Sequence, residues 1–240
     1  MARYITGSQA VIDVMRAMGL TAPQSVADSQ DPTAQQMWQL AKDAGQLITE
    51  EHDWQVLQKD MTIVTVGGQT IYPLPADFRK FVVDSQWNRT TRMPALGSLT
   101  EQEWQMLKAR NLAGTTFALL FRINEDAVEI YESPATPQTL VLPYVSENWV
   151  RQVSVPAGTK NTLTLNDDIA MFPSQLFKAK LRLLWRVAKQ FDTIYDQKEY
   201  VDLLAKATSR DVPARTLSLR QGGDYPYLGV LNVPDIRYGS

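Results

Sequence analysis

The chain has 240 residues, 44% of them hydrophobic and 21% charged, with a formal net charge of −2. That length allows one large domain or two small ones with a sizeable core, and a charge so near zero argues against bulk electrostatic binding of a polyanion. Cysteine is absent, which excludes disulfides, thiolate nucleophiles and cysteine metal sites, while no apolar run approaches the ~20 residues of a membrane span.

The start, "MARYITGSQA", lacks the apolar core of a signal peptide, so the expected place of synthesis is a cytoplasm. After Thr6-Gly7-Ser8, "SQAVIDVMRAMGL" sets Val11, Val14, Met15 and Met18 at helical spacing, and Gly19 fits a C-terminal cap. "TAPQSVADSQ" reads as loop. Asp31-Pro32 starts a helix, because Asp caps and Pro takes the first turn, where its missing N–H costs nothing. Met37, Leu40, Ala41, Ala44, Leu47 and Ile48 then form one stripe, which predicts an amphipathic helix over 32–52.

The character changes near residue 60. "MTIVTVGGQTIYPL" predicts two strands joined as a hairpin, with Gly67 and Gly68 supplying the positive φ of the turn. "RKFVVDSQWN" reads as another strand. Thr100 and Glu103 form a capping box for a short helix. "TFALLFRI", "AVEIYE" and "TLVLPYVSE" read as strands, with Asn124-Glu125-Asp126 turning between the first two, and "NTLTL" as a further short strand. Helices return at about 173, where "PSQLFKAKLRLLWRVAKQF" is apolar at 176, 183, 184, 187 and 191. Asp196 and Glu199 predict a capping box for the last helix, which carries Tyr200, Leu203, Leu204 and Ala207 and ends before Pro213. This order predicts an α+β fold: a helical bundle core from 1–58 and 168–212, a β-rich insertion at 59–167, and an extended C-terminal arm at 213–240.

Candidate chemistry is sparse. The one histidine, His52, has no G-x-S-x-G serine to serve and reads as a surface or capping residue. Glu50, Glu51 and Asp53 beside it could ligate a cation but read more simply as a solvated helix end. Asp167-Asp168 and Glu125-Asp126 could be paired carboxylates for glycoside hydrolysis, yet both pairs sit at turns. "VGGQT" leads into a strand, not a helix, so it is not a phosphate loop. The tryptophans, at 38, 54, 87, 104, 149 and 185, fall in or near predicted elements, and most of them are expected in the core, Trp38, Trp54 and Trp185 among them. No metal or cofactor is expected.

Two features point to partners. Lys178, Arg182, Arg186 and Lys189 share one arc of the helix at 174–191, with no acid between Asp168 and Asp192. Such a stripe is either a solvated face or a surface for another subunit, an anionic partner or nucleic acid. Lys180 lies on the apolar arc and must snorkel, pair with an acid, or face an interface. The arm, "LSLRQGGDYPYLGVLNVPDIRYGS", has no helical period, and glycines and prolines break it. It is nevertheless rich in apolar side chains, which disordered tails are not. Tyr225, Tyr227, Leu228, Val230, Leu231, Ile236 and Tyr238 are its expected anchors on a neighbouring protein.

The run "ITEEHDWQVLQKDMTIVTVGGQTIYPLPADFRKF" resembles the head-to-tail adaptor (head completion or tail accessory) proteins of tailed bacteriophages, especially short-tailed ones. "LTEQEWQMLKA", "FRINEDAVEIYESP", "LRLLWRVAKQFD" and "KEYVDLLAKATSRD" continue the resemblance, which spans roughly residues 10–212. It implies a helical core with a β insertion. It also implies a homo-oligomeric ring, usually a dodecamer, docked under the portal protein at the virion's head–tail junction. Such rings extend the channel for packaged DNA, help retain that DNA before ejection, and carry the tail nozzle or tail tube. The family often has a C-terminal segment that reaches up to the portal. Two other readings stand beside this one: a phage-particle polysaccharide or peptidoglycan hydrolase using the spare carboxylates, and a nucleic-acid-binding module using the basic stripe.

Overall fold

The computed structural model describes residues 4–110, 119–153 and 158–211. The expected arm at 213–240 lies outside the described residues. The chain opens with β1 (Ile5–Thr6), α1 (Gly7–Ala17), α2 (Pro32–Glu51) and a 3-10 turn at Gln55–Leu57. The middle carries β2 (Gln58–Val64), β3 (Ile71–Pro73), β4 (Phe78–Phe81), β5 (Trp87–Asn88), β6 (Met93–Pro94), α3 (Glu101–Arg110), β7 (Phe121–Asn124), β8 (Ala127–Ile130) and β9 (Thr139–Ser146). Then come β10 (Val150–Arg151), β11 (Thr159–Lys160), β12 (Ile169–Ala170), α4 (Ser174–Ala188) and α5 (Ile194–Asp211). The fold is mixed α+β, with several helices and antiparallel sheets.

The helix ends follow local chemistry. Thr6 and Asp31 cap α1 and α2 through their side-chain oxygens, and Pro32 takes the first turn of α2. At the far end of α1, Gly19 has φ +72°; its N–H meets the Arg16 carbonyl and the Leu20 N–H reaches back to Met15. This is a Schellman closure, which a side chain at position 19 would strain. The Thr100–Glu103 box closes both ways: the Thr100 N–H donates to Glu103 at 2.8 Å and the Glu103 N–H to Thr100 Oγ1 at 3.3 Å. Asp196 and Glu199 do not cap α5. That helix starts two residues earlier, where Asp192 accepts the Ile194 N–H at 3.0 Å, and Asp196 is held by arginines instead.

Strands form where expected more often than they pair where expected. Glu125, at φ +52°, and Asp126 turn β7 into β8. Gly67 and Gly68 do make a turn, with Gly68 at φ +83° and Gln69 N–H on the Val66 carbonyl. The strands on either side then part, however: β2 pairs along its whole length with β9, and β3 pairs with β8. The hairpin is therefore replaced by a turn between two sheets. "RKFVVDSQWN" splits into β4 and β5, which both add to β9. "NTLTL" is not a strand; the strand before it is β11, and its N–H groups at Thr164 and Leu165 donate to the buried Asp168 carboxylate, both at 2.7 Å. The sheets run β1-β12-β10-β11, β2-β9-β5-β6 with β4 also on β9, and β3-β8-β7.

Two hydrophobic clusters result. The larger gathers α1, α2, α4 and Tyr200 of α5, together with Trp54, Val145, Trp149, Val150, Leu163 and Phe172. Trp38, Trp54 and Trp185 are buried in it, as expected. Trp149 stacks on Phe172, with centroids 5.8 Å apart, and presses against α2 at Gly45, where a Cβ would sit 2.1 Å from its ring. Val145, Trp149, Val150 and Leu163 all come from within 59–167, yet they pack with the helices. The smaller cluster joins Ile63, Tyr72, Ala95, Phe121, Val128, Ile130, Leu140 and Leu142 between the β2 and β3 sheets.

Candidate functional site

The basic arc of α4 lies along its seams with α1 and α5. Lys178 bonds the carboxylate of Asp13 in α1. The Arg182 Nε donates to Asp196 Oδ1 at 2.6 Å, and its far end reaches Glu199. Arg186 adds a charge contact to Asp196 Oδ2 at 3.1 Å. Lys189 has its Nζ 4.6 Å from the Trp185 ring centroid, in cation–π range. Three of the four cations thus answer acids of this same chain, and the fourth covers a tryptophan. Their first role is to hold α4 between its neighbours, which leaves the arc far less charged than its sequence implies. The Asp13 carboxyl feels burial, which would raise its pKa, but bonds from Lys178 and Gln9 outweigh it and hold it below the ordinary range.

The opposite face of α4 carries the odd lysine. Lys180 is buried and pairs with Glu51 at 2.8 Å, so Glu51 stays at the exposed end of α2 as expected but carries a buried partner. Tyr200 of α5 donates its hydroxyl to the same carboxylate and lies with its ring 4.5 Å from the Lys180 Nζ. Burial, and then the Glu51 charge, push the Tyr200 hydroxyl pKa far upward. One carboxylate therefore ties α2, α4 and α5.

The apolar arc of α4 is rotated from the expected one. Its buried residues are Leu176, Phe177, Ala179, Lys180, Leu181 and Trp185. Leu183 and Leu184 pack only partly, and Val187 and Phe191 are turned outward, 55% and 62% exposed. Ile194 and Tyr195, at the start of α5, are 71% and 83% exposed. Together they make an apolar corner where α4 turns into α5. Beside it a cleft of about 670 Å³ opens between Met18 and Leu20, just past α1, and Trp185 of α4 with Lys189 and Phe191 just beyond that helix, which ends at Ala188 and not at the expected 191. The sequence signal for this corner was present, since a helix with apolar residues on more than one face cannot bury them all against one neighbour.

His52 caps α2 and contacts Asp211 at 3.2 Å; Asp211 also accepts the Gln55 N–H at 2.9 Å. Among the described residues no hydroxyl hydrogen-bonds to His52, so the orientation a catalytic triad needs is not assembled there. Asp168 is fully buried and takes the Thr164 and Leu165 N–H groups and Lys160 on one oxygen. Asp77 is the other acidic centre. Lys59 reaches it at 2.6 Å, Ser146 at 2.6 Å and Tyr144 at 3.0 Å, so the bundle of polar groups clasps β2 and β9 to the turn before β4. Among the described residues, no group of three or more His, Asp or Glu could hold a metal ion, and no helix is long and apolar enough to cross a membrane. The expected anchors of the arm, from Tyr225 to Tyr238, lie outside the described residues. Compared with known proteins, the chain matches no family model and no curated protein.

Proposed function

We propose that the protein is a structural subunit of a virion head-to-tail connector. Copies form a ring that docks on a portal protein, extends the channel for packaged DNA and presents a platform for the tail nozzle or tube. In this reading the helical elements form the bundle core of the ring, the β elements an insertion beside it, and residues 213–240 reach the portal.

The observation that carries the reading is the corner of Val187, Phe191, Ile194 and Tyr195. Contiguous exposed apolar side chains rimmed by charge mark contact surfaces. A protruding corner and a neighbouring recess are different surfaces, so copies joined through them meet head to tail, the kind of contact that closes into rings. The basic arc of α4 supports the reading less directly, since its charges already serve folding. Reversing Lys178, Arg182 and Arg186 would break intrachain pairs, and a lost assembly would then say nothing about a partner.

The test is the triple variant Phe191→Ser, Ile194→Ser, Tyr195→Ser. Native mass spectrometry and electron microscopy, with and without a candidate portal protein, should show rings for the parent and none for the variant, with thermal unfolding little changed. Rings of equal abundance in the variant, or no ring of the parent under any condition, would overturn the reading.

A further inference from the structure

A second recess lies at the opposite end of α5, where the described chain stops. It is a groove of about 560 Å³ whose floor includes Trp54, Met171, Leu203 and Ala207 and whose rim carries Lys206 and Arg210. The two basic residues are one helical turn apart and exposed, and neither has an acidic partner among the described residues. Asp211, the last described residue, is itself part of the groove wall. It is fixed there by His52 and the Gln55 N–H. The chain therefore leaves α5 from the edge of an apolar recess with an unneutralised basic rim.

The sequence that follows holds the complement. In "DYPYLGVLNVPD", residues 224–235, Tyr225, Tyr227, Leu228, Val230, Leu231 and Val233 lie between two aspartates, with no basic residue among them. The thirteen residues from Asp211 to Asp224 span at most about 45 Å. A loop of that length is cheap to close, since closure entropy grows only with the logarithm of length. It also holds the segment beside the groove at an effective concentration on the order of millimolar.

We propose that this groove is the receiving site for residues 224–235 of the same chain. The apolar side chains cover the Trp54–Leu203 floor, and Asp224 and Asp235 face Lys206 and Arg210. Pro226 and Pro234 disfavour a helix in this segment, which leaves it able to lie along the groove. In the free protein the arm is thereby stored against its own domain, and any partner that takes the arm must first displace it. The proposal holds whether or not the partner is a portal.

The absence of cysteine allows a direct test on the full chain. The pair Ala207→Cys with Val230→Cys is cross-linked with a short bismaleimide, and Val83→Cys with Val230→Cys, on a highly exposed residue of the β region, serves as the reference. The groove pair should link within one molecule about tenfold faster than the reference pair, at a rate independent of protein concentration. Adding Lys206→Glu and Arg210→Glu, both at exposed positions, should slow that link several-fold while leaving the reference rate unchanged. A groove pair no faster than the reference overturns the proposal. Links formed mainly between two molecules, rising with concentration, overturn it too and assign the groove to a second copy's arm. None of these outcomes depends on ring formation, so failure here and failure of the connector reading are separable.

Discussion

The two hydrophobic clusters are held at their seams by different chemistry. Around the larger one, long cationic side chains of α4 span to acids on neighbouring helices: Lys178 to Asp13, Lys180 to Glu51, Arg182 to Asp196 and Glu199. Beside the smaller one, Asp77 gathers Lys59, Ser146 and Tyr144 over short distances, and Arg122 bridges Glu129 and Glu101. Helices stand about a side chain's length apart, so only long residues can bridge them while keeping their heads partly wet. Strands lie close enough for serine and tyrosine hydroxyls to reach one carboxylate. Packing differs in step. The larger core is closed by tryptophans, with a tight approach at Gly45, and the smaller by aliphatic residues with Phe121 and Tyr72, with a tight approach of Gly97 to Phe121.

The largest effect should separate the two cores directly. Trp149→Ala removes a ring that touches α2, Phe172 and Phe177 at once, and should cost about 4–5 kcal/mol. Leu140→Ala in the smaller core should cost about 3 kcal/mol. Urea unfolding of both variants checks this. If Leu140→Ala proves the more costly, the β region carries more of the stability than its packing indicates.

How much of this was visible in the sequence depends on the range of the forces involved. Helix starts and stops were legible because their causes are local: Asp31-Pro32, the Gly19 closure and the Thr100–Glu103 box each act within a few residues. Strand positions at β8 and β9 were legible for the same reason. Partner choice was not. Gly67-Gly68 turns the chain, but whether β3 folds back on β2 is decided by β8 and β9, which lie more than fifty residues away. "NTLTL" has the alternation of a strand, yet Asp168 satisfies its N–H groups before another strand can. The site divided along the same line. Lys180 was recognisable as needing an acid, but Glu51 is remote in sequence. Asp196 has the spacing of a cap, and only the fold shows that Arg182 and Arg186 claim it. Val187 and Phe191 fit an apolar arc by spacing, while the arc that α1 and α2 actually cover is centred on Phe177, Leu181 and Trp185.

The seam pairs allow a sharper test at intermediate size. Lys180→Met removes a buried cation and leaves Glu51, whose side chain is 29% exposed, with only Tyr200. Stranding a fully buried partner costs about 3–5 kcal/mol, and the access of Glu51 to water should reduce this to about 2 kcal/mol. The double variant Lys180→Met, Glu51→Gln should recover at least half of that loss, because no charge is then stranded. A double variant as unstable as the single one would mean that Lys180 matters through the packing of its stem and not through its charge.

The acid response should be smaller and should appear on both sides of the comparison. Burial would raise the Asp77 carboxyl pKa, but Lys59, Ser146 and Tyr144 outweigh it and hold it below 3.8. Asp168 is likewise opposed by burial, yet the Leu165 and Thr164 N–H groups and Lys160 bring it below 3.8. A carboxyl whose pKa is lower in the folded state binds its proton more readily when unfolded. Its contribution is therefore complete above the unfolded value and is lost as pH falls through the folded one. Denaturant midpoints measured downward from about pH 5 should fall steeply below pH 4 in the parent. Asp77→Asn and Asp168→Asn should each start lower and fall less steeply. A variant with the parent's full acid slope would show that its carboxylate is not a seat of the acid sensitivity.

The smallest effect concerns an ion pair that joins the two regions across the surface. Lys80 of β4 meets Asp53, just beyond α2, at 2.8 Å, with both side chains about half exposed. Water screens such a pair, and holding two mobile side chains in one geometry costs entropy, so Asp53→Ala should change stability by only about 0.3 kcal/mol. That residue should vanish in 1 M salt, where screening acts within about 3 Å. More of the Lys180 effect should persist there, because Lys180 itself is buried and only its partner Glu51 is partly open to water. Nearby, Arg79 of β4 donates to the Thr49 carbonyl of α2 and lies beside Glu147 and Trp149 in a small polar recess. Arg79→Ala should therefore cost more than Asp53→Ala, by about 1 kcal/mol, and keep most of that cost in salt. If the two variants are equal at low salt and both effects disappear at high salt, the regions are joined by surface charge alone. The hydrogen bond from Arg79 would then add nothing to the join already made by Trp149.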